Sequence, residues 1–286
     1  MNLGEAYREG KKLLESAGCD APAFDAGCLF RKAFGLDRQQ RVMRSAENAP
    51  EEETAAYLSL ARERAAGRPL QYLLGEWPFL GMALAVGEGV LIPREETELL
   101  VRTAAEMLKG RPSPRAADLC AGSGAAALGL VSLLPDARVA AAEKYGGAFS
   151  FLERNVQRYG AGRVRAVRLD ILRPEAASGF SGLDAVVSNP PYVRAGEIPS
   201  LQREVKREPR EALDGGDDGL LFYRAIAALW LPKLRPGGAA AVEIGEDQAE
   251  AVEALFEPLL DGIRVLRDFN GLDRVVCGRR KGNEGP

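Results

Sequence analysis

The chain has 286 residues, 46% of them hydrophobic, enough for one large domain with a smaller companion. It contains no histidine, which excludes His-dependent triads and imidazole bases, and its four cysteines, Cys19, Cys28, Cys120 and Cys277, form no Cys-x-x-Cys pair that would suggest a zinc site or disulfide framework. A net charge of −3 argues against a protein that wraps duplex DNA, and no apolar run approaches the roughly 20 residues of a membrane span, so a cytoplasmic monomer without a direct nucleic-acid partner is expected.

Residues 1–68 carry helical periodicity. Leu3, Ala6, Tyr7, Gly10, Leu13 and Leu14 recur at three-to-four spacing, as do Phe24, Cys28, Leu29 and Ala33, and Pro22 and Pro50 stand where helices start. A small all-helical domain is predicted. Residues 69–93 change to short apolar runs with glycines and aromatics (YLLGEWPFLGMALAVGEGVLIP), which predicts a β-hairpin linker. A helix over 95–108 follows, broken by RPSPR, and from Arg115 apolar strands alternate with helices. That alternation predicts an α/β domain over 94–286 with a mainly parallel, Rossmann-like sheet, whose ligands bind beyond the carboxyl ends of the strands.

Three motifs fall at such strand ends. In DLCAGSGAAALGL, Cys120, Ala121, Gly122, Ser123 and Gly124 form a small-residue turn between a strand and a helix, where the backbone can approach a ligand closely. Glu143 ends the next strand about 20 residues on, the position from which an acid accepts from ribose hydroxyls. Asp170 is expected to end the third, where a carboxylate can accept from an adenine amino group. Either acid alone reads as a solvated strand end; both after a Gly-rich turn point to an adenosyl ligand.

The third motif is Asn189-Pro190-Pro191-Tyr192 after the apolar strand LDAVVS. Two prolines remove two backbone donors and fix the local geometry, leaving carbonyl oxygens to face a ligand. The tetrapeptide resembles the catalytic motif of methyltransferases acting on planar nitrogens. An amide or exocyclic amine is a poor nucleophile because its lone pair is delocalised. The Asn189 side-chain oxygen and the Pro190 carbonyl can each accept one N–H of such a group while positive charge grows on the nitrogen, and Tyr192 can pack against the planar acceptor.

The resemblance extends beyond the tetrapeptide. PLQYLLGEWPFLGMALAVGEGVLIPREETELLV (69–101), SLQREVKREPREALDGGDDGLLFYRAI (200–226) and VEIGEDQAEAV through DFNGLDRVVCGR are similar to the PrmC/HemK family of protein-(glutamine-N5) methyltransferases. The resemblance implies a helical domain that grips the substrate protein, S-adenosylmethionine as methyl donor, and a glutamine in the Gly-Gly-Gln motif of peptide-chain release factors as acceptor. By position it implies that Cys120 through Gly124 line the cofactor, Glu143 contacts its ribose, Asp170 and Ile171 flank its adenine, and Asn189 through Tyr192 hold the substrate amide, with no metal. Arg94, Glu96 and Thr97 match a family segment near the site without an assigned role, and a capped helix start accounts for them equally well. Cys120 and Ala121 depart from the family's common Gly and Thr, and Glu95 from a common proline; KYGGAFSFLERN after Glu143 is also unusual.

Two enzymatic alternatives share the chemistry: a glutamine methyltransferase of a ribosomal protein, and an adenine-N6 DNA methyltransferase. The latter needs a target-recognition region and a basic cleft, and nothing large is inserted here. A nucleoside-binding module without catalysis would have no need of Asn189.

Overall fold

Five helices open the chain in the computed structural model, which describes residues 1–282: α1 (Leu3–Ser16), α2 (Pro22–Phe34), α3 (Arg38–Met43), α4 (Glu51–Ala65) and α5 (Leu70–Leu74). Compactness divides the chain into two units, Met1–Glu76 with Gln202–Arg207, and Trp77–Leu201 with Glu208 onward.

In the first unit a capping box starts α1, the Asn2 side chain accepting from the Glu5 N–H while the Glu5 carboxylate accepts from the Asn2 N–H, both at 2.8 Å. Pro22 is the first residue of α2 and Pro50 caps α4. Leu3, Ala6, Gly10 and Leu14 form the buried face of α1. Gly10 is required there by packing, because a Cβ would lie 2.3 Å from the Tyr57 phenol oxygen. Tyr57 in turn meets the Phe30 ring edge-on, with centroids 5.3 Å apart. Arg64 on α4 is buried and donates to buried Asp25 on α2 at 2.7 Å and to Glu204 of the returning segment. One guanidinium thus satisfies two carboxylates from distant parts of the chain.

The second unit begins with the hairpin β1 (Glu76–Phe79) and β2 (Met82–Ala85), followed by α6 (Glu96–Leu108). Then come β3 (Arg115–Leu119), α7 (Ala125–Leu133), β4 (Arg138–Glu143), α8 (Gly146–Tyr159), β5 (Val164–Arg168) and β6 (Leu183–Ser188). The chain continues through α9 (Leu221–Ala225), β7 (Leu234–Glu243), α10 (Ala249–Phe256), β8 (Leu260–Arg267) and β9 (Asp273–Arg280). The strands form one sheet in the order β5-β4-β3-β6-β7-β9-β8, parallel from β5 to β7, with β9 antiparallel to both β7 and β8.

Successive strand residues face opposite sides, so Ala116, Ala185, Val187, Ala239 and Ala241 pack under α6 to α8, while Ala117, Val186, Ala240 and Val242 meet Tyr223, Trp230 and Phe256. The alanine-rich strands allow both helical layers to pack closely on the sheet. The chain leaves β3 outward to β5 and returns to β6 on the other side of β3, so the switch point lies between β3 and β6. Among the described residues no helix is long and apolar enough to cross a membrane.

One local reading of the sequence is corrected. Asp170 does not end its strand: β5 stops at Arg168, and Asp170 lies two residues beyond, in the turn. Beyond β6, α9 runs into a π turn at Ile226–Trp230 and then a short 3-10 turn containing Pro232. The π turn seats Trp230 in the core with its indole N–H donating to the Ile171 carbonyl at 3.0 Å.

Replacing Arg64 by Ala leaves the Asp25 carboxylate buried without its cation, and is expected to destabilise the chain by about 3–5 kcal/mol. Urea unfolding followed by circular dichroism checks this, and Arg64→Lys should restore only part, since a single ammonium lacks the fork that spans both carboxylates.

Candidate active site

The turn after β3 is built by left-handed backbone. Cys120, Gly122 and Gly124 have φ of 60°, 56° and 87°, a region costly for cysteine and free for glycine. At Gly124 a Cβ would also meet Leu152 Cδ1 at 2.7 Å, so any larger residue there must shift that leucine as well as strain the backbone. The Ala121 N–H donates to the Ala142 carbonyl at 2.9 Å, tying the turn to β4.

Glu143, buried at the end of β4, reaches back to this turn. One carboxylate oxygen accepts from the Gly122 N–H at 3.0 Å and the other from the Tyr145 N–H at 2.7 Å. Burial pushes its carboxyl up from the ordinary range against the pull of these donors. Asp118, one residue before the end of β3, accepts from the Ala127 N–H at 2.9 Å through Oδ2, while Oδ1 is buried with no hydrogen-bond partner. Burial pushes Asp118 up to about 7. For Asp170 burial also acts upward, but Lys144 at 2.9 Å and the Leu172 N–H at 3.1 Å outweigh it and hold the carboxyl below its usual value.

On the other side of the switch point, the Ser188 hydroxyl donates to the Leu119 carbonyl at 2.6 Å, joining the ends of β6 and β3. The Asn189 side-chain N–H donates to the Thr97 hydroxyl oxygen on α6 at 3.0 Å, and that hydroxyl donates to Glu243 at the end of β7 at 2.7 Å. The Asn-Pro-Pro-Tyr loop is clamped from behind. The Tyr192 carbonyl accepts from the Gln248 amide at 2.9 Å, Val193 pairs with Asp214, and Gly215 lies so close that its Cβ would come within 2.8 Å of Tyr192 Cα.

These elements surround a cleft of about 890 Å³, partly open to solvent. Cys120, Ala121, Gly122, Ser123, Glu143, Asp170, Ile171, Asn189 and Pro191 line it; Gly124, Pro190 and Tyr192 stand outside that lining. Sequence reasoning missed Asp118, Lys144, Glu211 and Phe222 in the wall. Asp118 was available as the polar residue within the run AADLC, 116–120, and Glu211 and Phe222 lay inside a recognised segment without an indication of which way they face. Arg94 and Thr97 line the cleft and Glu96 does not. Arg94 pairs with buried Glu208, whose second carboxylate oxygen accepts from the Ile92 N–H at 2.9 Å.

Four carboxylates, those of Asp118, Glu143, Asp170 and Glu211, border the cleft, against which stand Lys144 and Arg94. A ligand bearing hydroxyls and positive charge fits this wall: Glu143 and Asp170 offer acceptors to a nucleoside, and the orphaned Asp118 oxygen offers one to a cationic group. A parallel sheet with a Gly-rich turn and an acidic neighbour strand on one side of its switch point, and Asn-Pro-Pro-Tyr on the other, defines a Rossmann-like methyltransferase. Residues 5–75 match the PrmC N-terminal domain family and residues 95–222 the methyltransferase small domain family. A release factor glutamine methyltransferase of Moorella thermoacetica is 38% identical, covering 98% of this chain and 99% of its own, and one of Geobacter sulfurreducens is 39% identical over 93% and 92%. The chain belongs to the release factor glutamine methyltransferase family. A solved methyltransferase from Pyrococcus furiosus, 18% identical and covering 71% of this chain and 90% of that one with a TM-score of 0.50, shares the fold.

Asp118 and Glu243 are both pushed up to about 7, from ordinary values of 3.8 and 4.5. The folded chain therefore holds protons that the unfolded chain has released, and between those ordinary values and about 7 stability falls as pH rises. The urea midpoint of the ligand-free chain is expected to rise as pH is lowered from about 8 to about 5.5, and Asp118→Asn should flatten part of that slope. A midpoint that falls over the same range contradicts the assignment.

Proposed function

We propose that this chain transfers the methyl group of S-adenosylmethionine to the side-chain amide nitrogen, N5, of the glutamine in the Gly-Gly-Gln motif of peptide-chain release factors. The observation that carries the reading is Asn189, at the wall of the same cleft that Gly122 and Glu143 line. Membership in the release factor glutamine methyltransferase family supports the same substrate.

When bound, S-adenosylmethionine supplies an electrophilic methyl group on a sulfonium sulfur. In this reading the Gly122 and Ser123 backbone lies against it, Glu143 accepts from the ribose hydroxyls, and Asp170 with Ile171 borders the adenine. The acidic wall favours a cation over a neutral ligand of the same shape. The Asn189 carbonyl oxygen and the Pro190 carbonyl accept the two N–H bonds of the glutamine amide, and Tyr192 packs against the amide plane. As the nitrogen pyramidalises and gains positive charge, these acceptors hold it more strongly than they held the neutral amide, which lowers the barrier without any prior deprotonation. Once the methyl is transferred, the amide nitrogen releases its proton from an acidic species to solvent. The first helical unit, residues 1–76 with 202–207, is assigned to gripping the release factor.

Labelled methyl transfer to purified release factor, to its Gly-Gly-Gln→Gly-Gly-Ala variant and to duplex DNA is the direct test. Label on that glutamine alone is expected, and label on adenine, or on the Gly-Gly-Ala variant, would overturn the substrate. Asn189→Ala should retain S-adenosylmethionine binding by calorimetry while turnover falls roughly 10²- to 10³-fold, the cost of removing one preorganised transition-state contact.

A further inference from the structure

Asn189 carries an amide whose two ends are nearly the same shape and opposite in hydrogen-bonding sense. Its proposed role needs the oxygen turned toward the substrate, because the glutamine amide presents N–H groups there; the reversed amide sets donor against donor. Nothing in the Asn-Pro-Pro-Tyr segment itself dictates which end faces out.

We infer that Thr97 and Glu243 are positioning residues that dictate it, forming a one-way relay that holds the Asn189 oxygen toward the cleft. The inference rests on the amide-holding role proposed for Asn189. A threonine hydroxyl has a single hydrogen. Thr97 Oγ1 lies 2.7 Å from Glu243 Oε2 and 3.0 Å from Asn189 Nδ2, so it serves both neighbours at once. An ionised carboxylate can only accept, so with Glu243 ionised the hydroxyl hydrogen goes to it and Thr97 is left with lone pairs alone for Asn189. Only the NH₂ end of the asparagine satisfies lone pairs, and the carbonyl oxygen is thereby turned outward.

The three residues come from α6, the loop that follows β6, and the end of β7, with Thr97 and Glu243 only 4% and 1% exposed, so water does not compete for the hydroxyl. Around Glu243, burial and the Glu96 carboxylate oppose ionisation, while the Thr97 hydroxyl and the Arg274 and Arg94 guanidinium groups favour it. Tyr192, on the loop that carries Asn189, also faces this carboxylate. The backbone carbonyl of Glu243 accepts from the Tyr223 hydroxyl at 2.8 Å, which fixes the strand end from which the carboxylate projects. Glu243 is itself outside the cleft lining and acts only through Thr97.

Removing the carboxylate reverses the relay. Glu243→Leu offers the Thr97 hydroxyl no acceptor, so its hydrogen turns to Asn189 and selects the wrong end of the amide. Thr97→Val keeps the shape and removes the relay altogether, and Thr97→Ser keeps the hydroxyl.

The test is steady-state methylation of release factor at about pH 8, where Glu243 is ionised, by these three variants, by Asn189→Ala and by the Thr97→Val, Glu243→Leu double variant, with S-adenosylmethionine affinity measured by calorimetry. Thr97→Val and Glu243→Leu should each lower kcat at least roughly tenfold, short of the 10²- to 10³-fold of losing the group outright. Both should leave S-adenosylmethionine affinity and the release-factor KM within about twofold, and Thr97→Ser should recover most of the wild-type kcat. The double variant should be no slower than the worse single one, since both remove the same orientation, whereas two merely structural defects would add. If Thr97→Val does not fold, Glu243→Leu decides, because it leaves the Thr97 hydrogen no acceptor but Asn189. Wild-type kcat in Glu243→Leu, or additive losses, with Asn189→Ala inactive, would overturn the relay and leave the reaction assignment standing; an active Asn189→Ala would overturn the role of Asn189 and the relay with it.

Discussion

A carboxylate removed from water must find donors, and at the carboxyl edge of this sheet three carboxylates find them in the segments that make the cleft. Asp118 takes the Ala127 N–H of α7, Glu143 takes the N–H groups of Gly122 and Tyr145, and Glu243 takes the Thr97 hydroxyl of α6. Each is costly by itself, since burial raises all three. The donors that offset the cost belong to the segments that line the cleft, so satisfying the acids and shaping the cleft are the same act. The remaining capacity is equally directed, as with the unpartnered Asp118 oxygen.

The sheet makes this arrangement possible by what it omits. Alanines fill the faces of β3, β4 and β7, so helices on both sides approach closely and the strand ends project into one narrow zone. The Ser188–Leu119 hydrogen bond joins the two strands that flank the switch point and fixes the distance between the Gly-rich turn and Asn189. Behind that loop, Gly215 and Gly219 leave no room for a Cβ, and Gln248 bonds to the Tyr192 carbonyl. The tetrapeptide is held from both sides although it belongs to neither a helix nor a strand.

Much of this was legible along the chain because it is local. The turn from Cys120 to Gly124, Glu143 at a strand end, and Asn-Pro-Pro-Tyr after an apolar strand are each a short pattern with a mechanism attached, and Pro22 and Pro50 marked helix starts. What escaped depends on direction and distance in space. The Thr97–Glu243 pair is separated by 146 positions, and a threonine near a helix start reads as a cap until its partner is seen. Asp170 slid past its strand because Leu169 lengthens the apolar run without pairing as β5. Likewise Gly124, Pro190 and Tyr192 lie outside the cleft lining although their neighbours line it, because adjacency in sequence does not specify which way a side chain points.

A chain without histidine has to manage proton chemistry by other means, and the geometry here indicates how. Asn189 holds no proton to give and is far too weak a base to remove one, so whatever it contributes is orientation and electrostatics. Orientation is a demand on the supporting shell more than on the residue, because an asparagine free to turn presents the right face only part of the time. That shell is a buried hydroxyl with a single hydrogen and a carboxylate to receive it. Two of the acids that burial made expensive are therefore engaged and not general bases waiting for a proton: Glu143 is engaged by the turn it shapes, and Glu243 by the threonine that aims the asparagine.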